Sequence, residues 1–423
     1  MIVGEPHVTT TENEVRVEAE VSLGRSGHGL PPSLWFAFPR AYERFVAEGS
    51  DAFAVALLPL AMSLGEPLVV EGTVSSRLAA GMREYQRIQS VWKPELYREV
   101  DVKLGSVRPR ARVEGGGGVG ITFSGGVDSF HTLWVHLPEN EPYPACRVTH
   151  CLFVNGFDDD SDLEEKGPFP ALRRLYEPML AAHGVELVTV RTNLLAFHGV
   201  WLRAQAFAAF LTAPALALGG LFSRFSVSAG ARITDMGLYK DGSHLMLDHL
   251  LSTETMETVH EGAHLTRLEK TLAIASWPET FDRLRVCFKS PGLQSGRSAV
   301  ANCCACEKCL RTMVALELAG ALGNYACFPR KLTRRAVRGI DFATEVRQLF
   351  VPELIAHAEK VGRRDIARDL RIAMFRSVRL RGPIRKAVRA SSRIEPRSPA
   401  YAAVARAGKR ALRGVGFGRG WLY

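Results

Sequence analysis

Val119-Gly120-Ile121-Thr122-Phe123-Ser124-Gly125-Gly126-Val127-Asp128-Ser129-Phe130 is the stretch on which the reading of this chain turns. The run 119–123 is apolar, as a strand buried on both faces of a parallel sheet should be. Two glycines follow, where the backbone can take positive φ and approach a ligand with no Cβ in the way. A helix starting near Asp128 would aim its unpaired N–H groups back at that turn, an arrangement that binds anions, phosphates above all. Ser124 and Ser129 add hydroxyls. The stretch is not a Walker A loop, because Val127 and Asp128 stand after the second glycine where a Lys-Ser/Thr pair would be needed.

Outward from this turn, strands and helices alternate. Strands are expected at 148–155, 186–191, 225–229 and 283–288, with helices at 172–183, 200–218 and 265–276. That alternation predicts an α/β fold with a doubly wound parallel sheet over residues 119–290. Ligands in such folds sit beyond the C-terminal ends of the strands, which gathers the loops 124–129, 155–162, 191–198 and 230–262 into one cleft. Residues 1–105 read as a separate N-terminal α/β domain, with strands at 14–21, 34–38, 67–70 and 100–104 and helices at 52–64 and 75–91. The glycine-rich stretch 108–118 reads as a linker.

Eight cysteines are present, five of them between residues 287 and 309. Such crowding, with no secretion-signal pattern over residues 1–14, reads as metal ligation in a reducing, cytoplasmic compartment. Cys303, Cys306 and Cys309 form C-x2-C-x2-C, a spacing that lets successive thiolates face one ion. With Cys287 as fourth ligand the set is a tetrahedral four-cysteine zinc module over 287–328. Cys327 is the alternative fourth ligand, and an iron–sulfur cluster the alternative metal.

The formal net charge is +10, unevenly placed. Residues 330–423 hold 24 Lys/Arg and 7 Asp/Glu, so +17, which leaves −7 for the remainder. The segment 329–423 reads as a basic helical tail, partly disordered, suited to an anionic partner such as tRNA, with Tyr401, Phe417 and Trp421 able to stack on bases. Residues 206–222 are uncharged and close to the length of a membrane span, but contain Pro214 and the Gly219-Gly220 pair. A helix buried against a sheet is expected there, and no transmembrane segment. A homo-oligomer is the expected assembly.

Ser-Gly-Gly-Val-Asp-Ser after a strand and before a helix resembles the pyrophosphate loop of the N-type ATP pyrophosphatases, the PP-loop enzymes of the HUP-like, adenine nucleotide alpha hydrolase-like fold. The later cysteine cluster is similar to that of the 7-cyano-7-deazaguanine synthase branch. The resemblance implies ATP with Mg²⁺ and Zn²⁺, and cleavage between the α and β phosphates. A small-molecule carboxylate would be adenylated, then attacked by ammonia or an amine. Ser124, Gly125, Gly126 and Ser129 would cradle phosphates, and Asp128 would orient Mg²⁺ or the loop. Lys270, or Arg267 beside it, would offset charge on the leaving pyrophosphate. Four aspartates within 155–162 are a further Mg²⁺ candidate, and His249 or His260 a candidate general base. Two departures separate the chain from that branch. Its Gly-Tyr-Pro-Asp-Cys-Arg-like substrate motif is replaced by Ala229-Gly230-Ala231-Arg232, and the spacing from Cys287 to Cys303 is longer. The other readings are a tRNA-modifying enzyme and a nucleotide-binding regulatory protein without turnover.

Overall fold

The computed structural model describes residues 1–24, 29–157, 167–235, 237, 242–287, 294 and 299–383. In chain order the strands are β1 (Ile2–Val3), β2 (His7–Thr10), β3 (Glu14–Ser22), β4 (Ser33–Pro39), β5 (Leu68–Ser75), β6 (Val102–Arg108), β7 (Gly118–Thr122), β8 (His150–Asn155), β9 (Glu186–Thr192), β10 (Phe222–Ser228) and β11 (Glu257–Glu261). The helices are α1 (Asp51–Leu64), α2 (Ser76–Trp92), α3 (Val127–Val135), α4 (Phe169–Ala182), α5 (Leu194–Gln205), α6 (Phe207–Ala217), α7 (Arg267–Ile274), α8 (Glu307–Leu318), α9 (Arg334–Gly339), α10 (Glu345–Lys360) and α11 (Arg364–Phe375).

Among the described residues the strands form one mixed sheet in the order β11-β10-β7-β8-β9-β4-β3-β1-β5-β6, with β2 beside β3. Strands β7 to β11 are parallel to one another. Numbered within that unit, their order is 3-2-1-4-5, the doubly wound arrangement. Side-chain alternation divides the interior into two cores. In β8, Cys151 and Phe153 join the core under α3, α4, α7 and α8, while Leu152 joins the core under α1, α2, α5 and α6. In β9, Leu187 faces the first core, and Val188 and Val190 the second.

The N-terminal segment, read from sequence as a unit of its own, supplies strands to this same sheet. β4 pairs antiparallel with β9 through Phe36↔Thr192 and Ala37↔Arg191. The Trp35 N–H donates to Asn193 Oδ1 at 3.1 Å, and Asn193 Nδ2 donates back to Ser33 O at 2.8 Å. Phe36 and Phe53 meet edge to face at 5.6 Å inside the core they share with Val188 and Phe210.

Two expectations change. The helix expected over 200–218 is two helices, α5 and α6, broken where Ala206 leaves helical geometry (φ −122°, ψ 34°). Lys93 Nζ satisfies the Gln205 carbonyl at this break, at 3.0 Å. No helix among the described residues is long and apolar enough to cross a membrane. The strand expected over 283–288 does not form over its described part, and β11 takes the fifth parallel place. The reason lies in where the N–H groups go. Arg285 donates to Gly125 O at 2.6 Å, and Val286 and Cys287 donate to Asn302 Oδ1 at 3.1 and 3.3 Å. The segment is spent on clamping a turn and a cysteine loop rather than on a neighbouring strand.

Candidate functional site

Strand order reverses between β7 and β10, and the crevice at such a reversal is where doubly wound sheets bind ligands. The turn 124–129 lies at the C-terminal end of β7, at that point. Gly125 is in the left-handed region at φ +73°. A Cβ there would stand 2.1 Å from Tyr176 Oη, so glycine is required twice over. Gly126 is the N-cap of α3, extended at φ −86°, ψ 174°. The turn is held by its own serines. The Ser124 N–H donates to Ser129 Oγ at 3.3 Å, and Ser129 Oγ donates to Gly126 O at 3.1 Å. Ser124 is exposed while Ser129 is buried. Thr132 Oγ1 and Ser228 Oγ are 2.9 Å apart, tying α3 to the end of β10.

Asp128, in the first turn of α3, faces α7. Its Oδ2 pairs with Arg267 Nη2, and its Oδ1 lies 3.9 Å from Lys270 Nζ. That Oδ1 is buried with no hydrogen-bond partner among the described residues. Lys270 is 2% exposed and donates to Ala229 O at 2.7 Å. Burial pulls its pKa down, and Asp128 opposes that pull. Both residues singled out for chemistry thus sit in one charge cluster, with the ammonium inside the fold at the end of β10. His131, one turn along α3 from Asp128, is buried, and its Nδ1 has no hydrogen-bond partner among the described residues. Desolvation, then the Lys270 charge, pulls its pKa down to about 4, so the imidazole is neutral at physiological pH.

Two cations were missed in the sequence. Lys308 and Arg311 stand at i and i+3 in the first turns of α8, hence on one face. Desolvation first, then Arg267 and Arg311, pulls the Lys308 pKa down to about 7, with Asp128 among the charges that oppose it. The Arg311 guanidinium lies 3.9 Å from the centroid of Phe350, and that of Arg267 lies 5.5 Å from the same ring. Arg311 Nε also pairs with Glu307 Oε1 at 2.8 Å. The available signal was position: Lys308 falls inside Cys306-Glu307-Lys308-Cys309, between two of the thiols.

Cys287, Cys303, Cys306 and Cys309 converge, with all four sulfurs within 4.8 Å of one another. Pairs of Sγ atoms lie at 3.4 Å (Cys306–Cys309), 3.7 Å (Cys303–Cys309) and 3.9 Å (Cys306–Cys287). Four thiolates about 2.3 Å from a tetrahedral ion are about 3.8 Å apart, so this set can hold a metal ion. Hydrogen bonds from Cys306 and Cys309 hold the Cys287 pKa down, and those with Cys287 and Cys306 push that of Cys309 up. The Cys306 side chain caps α8 by accepting from the Cys309 N–H. Cys304 takes positive φ (+52°) and turns its thiol to Asn302 O at 3.5 Å, outside the set. Cys327 is buried and outside the set as well; its carbonyl accepts from Asn302 Nδ2 at 3.1 Å.

The cysteine set and the turn are joined through residues 283–287. Tyr176 Oη donates to Arg283 O at 3.1 Å, and the Arg285 N–H donates to Gly125 O at 2.6 Å. Two residues on, Cys287 enters the sulfur set.

The remaining candidates do not join this site. His249 is engaged through Nδ1 with Leu245 O at 3.0 Å. His260 Nδ1 pairs with buried Asp248 at 2.8 Å, and Ser243 donates to the same carboxylate at 2.8 Å. Glu254 accepts from Ser75 Oγ and from the Arg77 and Arg110 N–H groups, which fastens the linker to β5 and α2. Asp158, Asp159, Asp160 and Asp162 lie outside the described residues, as do Tyr401, Phe417 and Trp421 in the tail.

Comparison with known proteins identifies no relative: no family model, curated protein or solved structure matches the chain.

Proposed function

We propose that this protein is an ATP-dependent adenylating enzyme of the PP-loop type, with a structural zinc ion on the four cysteines. The observation that carries the reading is the position of Ser124-Gly125-Gly126-Val127-Asp128-Ser129 at the strand-order reversal, beside Arg267 and Lys270. A positive-φ glycine turn running into a helix N-terminus offers backbone N–H groups to a triphosphate, and the helix dipole adds to them.

In this reading the Ser124–Ser129 turn binds the phosphates. A substrate carboxylate oxygen attacks the α phosphorus, the bond from that phosphorus to the bridging oxygen breaks, and pyrophosphate leaves. Ammonia or an amine then attacks the acyl carbon of the adenylate; AMP leaves, and the nitrogen loses a proton. Arg267 and Lys270 stabilise the charge that builds on pyrophosphate. Asp128 has its part through those two cations, which it holds in place, rather than through the metal. Removing one preorganised donor of this kind costs about 10²–10³ in rate, so Lys270→Met should lower turnover by that order. ATP supplied with Mg²⁺, ammonia and a panel of carboxylates should yield AMP and pyrophosphate in equal amounts. ADP and phosphate as the only products would refute the proposal.

The cysteine set suits Zn²⁺ because its ligands are four thiolates with no open position. Bound zinc would supply structural cross-linking between residue 287 and α8 and no chemistry on the substrate. Elemental analysis should give one zinc per chain.

A further inference from the structure

The sulfur set does more than close a loop, because of what lies between its ligands. Lys308 stands between Cys306 and Cys309, so the turn of backbone that carries two thiolates carries this ammonium as well. Arg311 is one helical turn further on the same face. Arg311 shares the ring of Phe350 with Arg267, which is paired with Asp128 at the start of α3. A narrow cleft between α7, α8 and α10 has Arg267, Thr271 and Arg311 in its walls. Arg267 and Lys270 flank Asp128 directly, and Arg311 meets Arg267 across the Phe350 ring with Lys308 one turn before it on α8, against the nearby carboxylates of Glu307 and Glu353. The sulfur set also reaches the turn itself: two residues before Cys287, the Arg285 N–H donates to Gly125 O.

We infer that the metal-bound turn of α8 is a wall of the anion site: Lys308, held between two metal ligands, binds the pyrophosphate end of the nucleotide. This rests on the reading of the 124–129 turn as a phosphate loop. It adds a residue to that reading and gives the metal a consequence. The ion holds Lys308 and the back of the glycine turn at a fixed separation, so metal occupancy and anion affinity are linked. Without the ion, four thiols that repel one another once deprotonated leave both walls of the site unpinned.

The test uses full-length protein and inorganic pyrophosphate with Mg²⁺, with affinity read by calorimetry. Metal content is read by elemental analysis on the same samples. Three proteins are compared with wild type: K308M, C304S, and wild type stripped by a chelator and dialysed. K308M should keep its metal and bind pyrophosphate at least tenfold more weakly, the loss of one charge-assisted contact. The stripped protein should weaken at least as much and recover when zinc is restored. C304S should match wild type in both readouts, since Cys304 lies outside the sulfur set. Wild-type affinity in K308M, or in stripped protein that circular dichroism shows to be folded, would overturn the inference while leaving the phosphate loop standing. Failure of wild type to bind either pyrophosphate or ATP would overturn the loop reading, and this inference with it.

Discussion

Gly125→Ala is the substitution whose cost the structure fixes most tightly. The new Cβ would lie 2.1 Å from Tyr176 Oη and 2.7 Å from Tyr176 Cζ. Tyr176 cannot yield easily. It is fully buried, its ring meets Phe123 at 5.1 Å and Phe153 at 5.6 Å, and its hydroxyl is bonded to Arg283 O. An L-residue at φ +73° adds about 1–2 kcal/mol. Overpacking a well-filled core adds about 1–3 kcal/mol, and the displaced hydrogen bond about 1 kcal/mol. A total of about 3–6 kcal/mol is expected, read as a lower urea midpoint at unchanged slope. Adding Tyr176→Phe should return only part of it, because the ring carbon at 2.7 Å and the positive φ both remain. Gly126→Ala is the contrast. Its φ is ordinary, and its nearest neighbour would be Ser124 Oγ at 3.3 Å, so stability should change by less than about 1 kcal/mol. Nucleotide affinity should nevertheless fall, because the added methyl crowds the turn. A Gly125→Ala protein within about 0.5 kcal/mol of wild type would refute the packing argument.

Further outcomes follow from the same geometry. His131 and His198 are buried and each is held down to about 4 from an ordinary 6.5 by desolvation. The unfolded chain therefore binds more protons between pH 6.5 and 4, and stability must fall as pH falls through that window. The shift allows up to about 3 kcal/mol for His131, and His131→Gln should flatten that part of a stability–pH curve. Asp128→Asn leaves Arg267 and Lys270 facing each other without their shared carboxylate; a loss of about 1–3 kcal/mol in thermal or urea unfolding is expected, and an unchanged midpoint would show the pair to be idle. With zinc supplied to the four-cysteine site, chelation should lower the unfolding midpoint of wild type and of C304S alike, and C306S should already start from the lowered value.

Much of this was legible along the chain. The strand before the turn, expected over 119–123 and found over 118–122, the glycine turn and the start of α3 could be read from the sequence, because apolar runs and paired glycines are local signals. Three of the four converging cysteines, Cys303, Cys306 and Cys309, could be read from their spacing. Choosing Cys287 over Cys327 could not, since it depends on Asn302 clamping residues 286 and 287 beside the loop of Cys303. The joining of the N-terminal strands to the parallel sheet was also hidden. It rests on two residue pairs between β4 and β9 and on Asn193, and no local pattern announces an antiparallel neighbour at a parallel edge. β11 was missed because Glu257-Thr258-Val259-His260-Glu261 carries little apolar signal for an edge strand. Lys308 and Arg311 were missed because a basic residue on a helix reads as solvated. Only the packing of α8 against α7 and α10 brings that face of α8 to the Phe350 ring and to Arg267, the partner of Asp128.

The central claim is that the amides of residues 124–129 receive the triphosphate of ATP. A crystal structure of the full chain with Mg²⁺ and a non-hydrolysable ATP analogue tests it most directly. The account predicts phosphate oxygens within hydrogen-bond distance of the backbone N–H groups at the start of α3, with the β and γ phosphates toward Arg267 and Lys308. A nucleotide bound elsewhere, with that turn covered by protein, would contradict it.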